Sequence, residues 1–480
     1  MIDSTIINNS TKWTFVTEVA AKIVTPVTNM FLARLLTPDA FGIMATIQMV
    51  LAFAEMLADA GFQKFVVQHE YGDDVEKEES ILVTIYTNVV LSFVVWLCIV
   101  FFREEIATLA GSPGLGFALA VASCAVPMVA FCSVQLAVMR RNFEFKKLLY
   151  FRLVMVVEPL LVAVPLAYLG YGYWALIIGF VGGYVVQSLA VLFGSSVRLR
   201  WSYSFQRLRE MFSFSAWSFV EAVFIWLSVW ADVLMLSKVL SSYYLGIYRM
   251  SVISVGALLG IFANAVTPVL YSALSRLQFH RQEFVTALLN IQKKTALILV
   301  PLGVGIFVYR DLARKILFGS QWADAELMLG LFALTECVKI IYCNFSSEVY
   351  RSLGSPKIST LAQILHICAV FPVLCFFSYD FTVLVWARNL VRLQFVLVHF
   401  LLLAWLVKIN PIGMIENTWH YLLASVAMGL FGYYSRIAAD SVWYDWCSIL
   451  LCVVVYFGVL CSWSQERDML LNMWKTKKLF

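Results

Sequence analysis

The chain is 480 residues long, 61% hydrophobic and only 14% charged, with a formal net charge of +5 at pH 7. Its mean hydropathy is +0.83. These values exclude an ordinary soluble globule and point to a polytopic membrane protein.

Apolar runs of spanning length recur at 12–34, 40–62, 80–102, 114–139, 148–169, 172–194, 211–237, 243–271, 287–309, 325–349, 358–379, 382–407, 418–438 and 442–463. Crossing a hydrocarbon core about 30 Å thick takes about 20 helical residues, so the sequence predicts an all-α fold of about 14 transmembrane helices. An even number of helices places both termini on one side. With the termini inside, Lys and Arg favour the inner segments over the outer loops roughly threefold, which predicts a cytoplasmic N-terminus and C-terminus. The acidic inner loop with Glu70, Asp73, Asp74, Glu76, Glu78 and Glu79 does not reverse this, because acidic residues contribute little to orientation. The first dozen residues are polar and the next run is long and interrupted, so the first helix is expected to stay as a signal-anchor rather than be cleaved. All 10 cysteines lie in apolar segments or at their ends with no C-x-x-C pair. They read as small buried hydrophobes, and no disulfide framework or metal site is expected.

An internal repeat organises the helices. Leu32-Ala33-Arg34-Leu35-Leu36-Thr37 aligns without a gap on Leu236-Ser237-Lys238-Val239-Leu240-Ser241, and the same offset carries Phe41-Gly42-Ile43 onto Leu245-Gly246-Ile247 and Trp13-Thr14-Phe15-Val16 onto Trp217-Ser218-Phe219-Val220. Agreement at the basic, hydroxyl, glycine and tryptophan positions exceeds what two apolar helices share by chance. Both copies begin on an odd-numbered helix, so the repeats are parallel, about an axis along the membrane normal. The predicted architecture is two bundles around a central cavity, 1–200 and 205–410, with two appended helices and a cytoplasmic tail in 411–480. In the first copy the Thr37-Pro38-Asp39 block and the following Gly42 supply caps, a preset φ and a turn, and are read as hairpin architecture rather than chemistry.

Ionisable residues inside spanning helices are the functional candidates. A basic side chain at the centre of a span costs about 2.5 to 3.5 kcal/mol on insertion scales, so several are retained only where they face a polar cavity. Lys22, Arg249, Lys339, Arg388 and Arg392 are therefore the candidate anion-binding cations. Glu18 and Lys22 stand one turn apart on the first helix, and Glu336 and Lys339 pose the same choice on the tenth: a purely structural pair, or one that exchanges partners during transport. Arg388 and Arg392 share a face with no acid nearby in sequence, so they need an external anion or a carboxylate from another helix. Glu55, Asp59, Glu221 and Asp232 are candidates to partner these bases or to bind a coupling ion, with H+ and Na+ both open. His366 and His399 are isolated and read as helix contacts.

Several blocks carry a family resemblance: Ala33 to Gly42, Asp59-Ala60-Gly61-Phe62, Arg141-Asn142-Phe143-Glu144-Phe145-Lys146, Pro268 to Leu277, Gly319-Ser320-Gln321-Trp322 and Arg351-Ser352-Leu353-Gly354-Ser355-Pro356. With them the chain resembles the Wzx-like polysaccharide repeat-unit flippases of the multidrug/oligosaccharidyl-lipid/polysaccharide exporter superfamily, in the branch that includes colanic-acid exporters. The resemblance implies a bacterial inner-membrane protein that moves an undecaprenyl-diphosphate-linked oligosaccharide to the periplasmic leaflet for surface polysaccharide biosynthesis. It implies membrane lipids, a polymerase and a co-polymerase as partners, and no nucleic acid. The cationic candidates suit a diphosphate and acidic sugars, and aromatic residues such as Trp226, Trp230 and Trp386 are available to stack on sugars.

Two rivals share parts of this pattern. A cation-coupled drug antiporter of the same superfamily would favour acidic residues where this chain has deep bases. A membrane polysaccharide polymerase or ligase would carry acceptor chemistry on a substantial outer loop, and every outer loop here is short. No P-loop, G-x-S-x-G or H-E-x-x-H motif is present, so no catalytic residue or cofactor is assigned.

Overall fold

The computed structural model describes residues 22, 24–59, 61–195, 197, 200, 202–438 and 442–476. Among them the regular structure is helical throughout. Among the described residues eleven helices are long and apolar enough to cross a membrane. The other three expected spans fall on a helix over residues 24–35 (α1), on an interrupted helix around residue 340, and on a 20-residue helix near the C-terminus.

The chain divides into two compact units, Met1–Arg249 and Met250–Phe480. In the first, α2 (Pro38–Asp59) is followed by a short helix α3 (Phe62–Gln68), then α4 (Asp74–Phe101) and α5 (Arg103–Leu109). The next span is broken into α6 (Gly116–Ser123) and α7 (Ala125–Arg141), and the one after it into α8 (Phe145–Leu161) and α9 (Ala163–Tyr168). The unit continues with α10 (Tyr173–Gly194), α11 (Phe205–Leu236) and the start of α12 (Ser242–Arg276). Helix α4 pairs with α7, α10 lies against both α7 and α8, and α2 packs on α4 and α11. The repeat places α11 at the start of the second bundle, but its contacts with α2, α3 and α4 put it in the first compact unit.

Local sequence explains the helix ends. Asp73 caps α4 by accepting the Glu76 amide at 2.7 Å, while the Glu76 carboxylate reaches back to the Gly72 amide at 2.8 Å, a reciprocal capping box. Asp380 does the same single-handed for α18 (Phe381–Leu402), taking the Val383 amide at 2.9 Å. The break in the fifth span coincides with Pro159 and Pro165, which remove two amide donors from the helical ladder.

In the second unit α13 (Arg281–Val308) runs into the short amphipathic helix α14 (Arg310–Leu317). After it come α15 (Ala325–Val338), a π-helical stretch Lys339–Asn344, and α16 (Phe345–Ser352). Helices α17 (Pro356–Phe377) and α18 form an antiparallel pair, and α15 packs on both α13 and α18. A short helix α19 (Ile412–Glu416) precedes α20 (Trp419–Ala438), α21 (Val442–Leu460) and α22 (Ser464–Thr476). Helix α22 is fixed by Glu466, which is buried and accepts a hydrogen bond from Tyr421 at 2.6 Å and an ion pair from Lys293 at 2.7 Å. Large apolar side chains such as Phe101, Phe193, Trp405 and Trp443 are exposed on the helices, which suits a lipid-facing exterior and no aqueous one.

Candidate functional site

The site is clearest where the tenth span is interrupted. Glu336, near the end of α15, holds two cations with its two oxygens: Lys339 Nζ lies 2.7 Å from Oε1 and an Arg392 Nη lies 2.7 Å from Oε2. Glu336 and Arg392 are each 8% exposed, while the Lys339 side chain is 29% exposed and so remains within reach of a ligand. The Arg392 guanidinium also lies 3.8 Å above the Phe332 ring, and its Nη contacts Thr335 Oγ1 at 3.5 Å. Thr335 in turn donates to Asn389 Oδ1 at 2.8 Å, which ties α15 to α18 beside the charges. Two cations thus share one carboxylate in a desolvated setting.

Lys339 is the first residue of the π-helical stretch. A π turn admits one extra residue per turn, re-aims the side chains around it, and is found disproportionately at functional sites. Arg388 stands one turn before Arg392 on α18, and His366 on α17 lies within electrostatic reach of Arg388, Arg392 and Lys339. His366 Nδ1 lies 3.3 Å from the Gln394 Oε1 acceptor, and the ring stacks on Phe395 at 4.3 Å. His399 shares a 3.2 Å contact with the Tyr350 hydroxyl. Both histidines therefore sit in helix contacts.

The remaining candidates separate. In the first unit the Arg249 guanidinium lies 4.4 Å over Trp230, and the carboxylate of Asp232 takes a 2.8 Å hydrogen bond from Tyr248, the residue before Arg249. Asp232 thus supplies the nearby negative charge for Arg249 without a direct ion pair. Asp59 accepts from Asn88 at 3.4 Å, Glu55 is partly buried on α2, and Glu221 is exposed on α11. Lys22 is helical and half-buried, whereas Glu18, its expected partner, lies outside the described residues.

Two features of the second unit carry no sequence motif. An apolar groove of about 750 Å³ is lined by Phe262, Leu297, Gly305, Tyr309, Trp446 and Val453 among others. At one end of it Arg436 forms ion pairs with Asp311 at 2.6 Å and Asp445 at 3.1 Å, and it donates to the Val308 carbonyl at 2.9 Å. This clamp joins α13 and α14 to α20 and α21. Neither feature is visible in the sequence, because each is assembled from residues more than 100 positions apart.

The polysaccharide biosynthesis protein family matches residues 31–327, more than half of the chain. The chain belongs to that family. Among characterised relatives it is 26% identical to the succinoglycan biosynthesis transport protein ExoT of Rhizobium meliloti, over 65% of this chain and 62% of that one. It is 22% identical to the lipopolysaccharide biosynthesis protein WzxC of Escherichia coli, over 68% of this chain and 63% of that one. The aligned stretches thus span less than two thirds of those relatives. Among solved structures it is similar to the lipid II flippase MurJ in an inward closed conformation, with a TM-score of 0.75 and 16% identity over 95% of this chain and all of that one. That likeness gives the fold.

Two of the blocks that carry the resemblance prove architectural. Arg141 donates to the carbonyls of Val66 at 2.8 Å and His69 at 2.6 Å and so closes the end of α3. Trp322 of the Gly319-Ser320-Gln321-Trp322 block is fully buried, and Arg314 bonds the Gly319 carbonyl at 2.7 Å. Glu336, Lys339, Arg388 and Arg392 all lie beyond residue 327, outside the stretch the family match covers.

Proposed function

We propose that this protein is a flippase that carries an undecaprenyl-diphosphate-linked oligosaccharide from the cytoplasmic to the periplasmic leaflet of the bacterial inner membrane by alternating access. The observation that carries this reading is the pair of cations sharing Glu336. A buried carboxylate shared by two cations, with a partly exposed lysine at its edge, suits an anion as strong as a diphosphate. As the cargo headgroup arrives, its oxygens take over Lys339 and then Arg392 from Glu336, so the carboxylate acts as a resident counter-ion that the cargo displaces.

The groove of α13, α20 and α21 offers the other half of such a cargo an apolar bed, and it is the place for part of the polyprenyl chain. Both termini are cytoplasmic in this reading, a polymerase and a co-polymerase receive the translocated unit, and an H+ or Na+ gradient drives the cycle. Family membership and the transporter names of the relatives support it.

The test is a strain lacking the gene. Loss of surface polysaccharide together with accumulation of lipid-linked oligosaccharide inaccessible to a periplasmic probe is expected, with rescue by the intact chain. Normal access of the periplasmic probe to the lipid-linked units would overturn the reading. A periplasm-dependent reporter fused after Phe480 is expected to stay inactive; strong activity would reverse the topology.

A further inference from the structure

Helix α8 carries a carboxylate that the site above does not use. Glu158 is 7% exposed, and its Oε1 is buried with no hydrogen-bond partner among the described residues. It sits immediately before Pro159, where the fifth span breaks into α8 and α9. The opposing helix α10 makes room for it with glycines. A methyl group built on Gly183 would stand 3.0 Å from Glu158 Oε2, and one on Gly182 would stand 3.4 Å from Oε1. One turn along, a methyl on Gly179 would fall 2.8 Å from the Ala163 Cβ. Gly179 and Gly183 form the small-x-x-x-small stripe that lets two spanning helices approach closely, and Glu158 fills the gap that this stripe creates.

Among the described residues its surroundings hold no counter-charge. Helix α8 packs chiefly on α10, α9 and α7. The titratable groups on those elements are Tyr173 and Tyr184 on α10, Tyr168 on α9, and Cys132, Arg140 and Arg141 on α7; α8 itself adds Lys146, Lys147, Tyr150 and Arg152. Cys132 is engaged with Ser188 at 3.3 Å and Arg141 with the end of α3. None of these groups is joined to Glu158 by a hydrogen bond or ion pair. An ionised carboxylate so placed would bear a desolvation cost of several kcal/mol with nothing to offset it, and a neutral carboxyl bears a much smaller one. A sodium ion needs a cage of several oxygens. Here a single carboxyl faces glycine Cα atoms, and no cluster of three metal-capable side chains exists among the described residues.

We propose that Glu158 is a proton-binding site, loaded while α8 and α10 are packed together and emptied when they part, and that it couples transport to a proton gradient. The step is COOH to COO⁻, with the proton passing to water admitted as the Gly179–Gly183 stripe opens. Its coupling half rests on the flippase reading; the presence of the proton does not.

The experiment compares the full-length wild type with Glu158→Gln in liposomes by infrared difference spectroscopy across pH. The wild type is expected to show a carboxylic-acid C=O band at neutral pH that is missing from Glu158→Gln. The amide is a neutral isostere, so the melting temperature at neutral pH should be unchanged. An identical acid band in both proteins would overturn the proton site, as would a large gain in melting temperature, since that would mean a buried charge had been removed. In cells Glu158→Gln should be inserted at wild-type level yet reduce surface polysaccharide to background; normal export in this variant would overturn the coupling role. If the protein moved no lipid-linked oligosaccharide at all, the spectral difference would still stand, so the two failures are distinguishable.

Discussion

Gly42 and Gly246, equivalent positions of the internal repeat, face each other where α2 crosses α12. A methyl on Gly42 would fall onto the Ser242 carbonyl, and a methyl on Gly246 would fall onto the Pro38 carbonyl. Pro38 and Ser242 are themselves equivalent in the repeat, so the crossing is two-fold symmetric in its chemistry. Backbone meets backbone here, and no rotamer change can relieve an added atom. Gly42→Ala and Gly246→Ala are each expected to destabilise the protein by about 1–3 kcal/mol, the range for overpacking. Because both changes press on one crossing, the double variant should lose less than the sum of the singles. Melting temperatures of the full chain in detergent check this, and an unchanged value for either single variant would contradict the close approach.

The positions of the helices were legible because a spanning helix must be about 20 apolar residues long, a constraint that survives every detail of packing. The Gly42 and Gly246 equivalence was legible as well, though its meaning was not: the block reads as a hairpin and acts as a helix crossing. Lys339 and Arg392 were recognisable as costly charges. Their shared partner was only half visible, since Glu336 is three residues from Lys339 but on a different helix from Arg392. The π turn at Lys339–Asn344 leaves no periodic signature over six residues. Glu158 is not legible in the sequence, where a lone glutamate in an apolar run looks like any other. The signals that mark it, a following proline and a Gly-x-x-x-Gly stripe on the next helix, acquire meaning only once α8 and α10 are packed.

The apolar groove allows a test by filling. Gly305 lines it, and a methyl built on its Cα meets nothing within 4 Å. Gly305→Leu should therefore occupy the groove without straining the helices around it, and loss of a helical glycine favours folding by roughly 0.5–1 kcal/mol. If the groove holds the polyprenyl chain, this variant should be at least as abundant as wild type while surface polysaccharide falls. Undiminished polysaccharide would remove the groove from the transport path.

The clamp on Arg436 predicts a pH dependence. Desolvation pushes the Asp311 carboxyl up, but the hydrogen bond and charge of Arg436 outweigh it and hold the group below the usual carboxylate range. A group depressed in this way contributes stability above its unfolded value, and the contribution is lost as pH falls through the folded value. At this partial exposure it amounts to roughly 1 kcal/mol or less. The melting-temperature gap between wild type and Asp311→Asn should be largest at neutral pH and close as the medium is acidified through the aspartate range. A gap independent of pH would show that Asp311 acts through packing alone.

The cation cluster is expected to respond unequally to the loss of its three members. Glu336→Gln removes the carboxylate that Lys339 and Arg392 share, and breaking a buried pair from one side costs about 3–5 kcal/mol, so this variant should be the least abundant. Lys339→Gln and Arg392→Gln each leave Glu336 one partner. Both should remain inserted while surface polysaccharide falls, because one of the two cations that receive the diphosphate is gone. The conservative swaps should also differ. Lys339→Arg keeps a partly exposed positive charge and should preserve export, whereas Arg392→Lys loses the planar group that lies on Phe332 and reaches Thr335, and should not. Pairing Glu336→Gln with Arg392→Gln should restore abundance and leave export absent, which separates the structural role of the pair from its role toward cargo. Polysaccharide level and membrane protein level, measured side by side for each variant, decide the matter: normal polysaccharide in both Lys339→Gln and Arg392→Gln would rule out this cluster as the anion site.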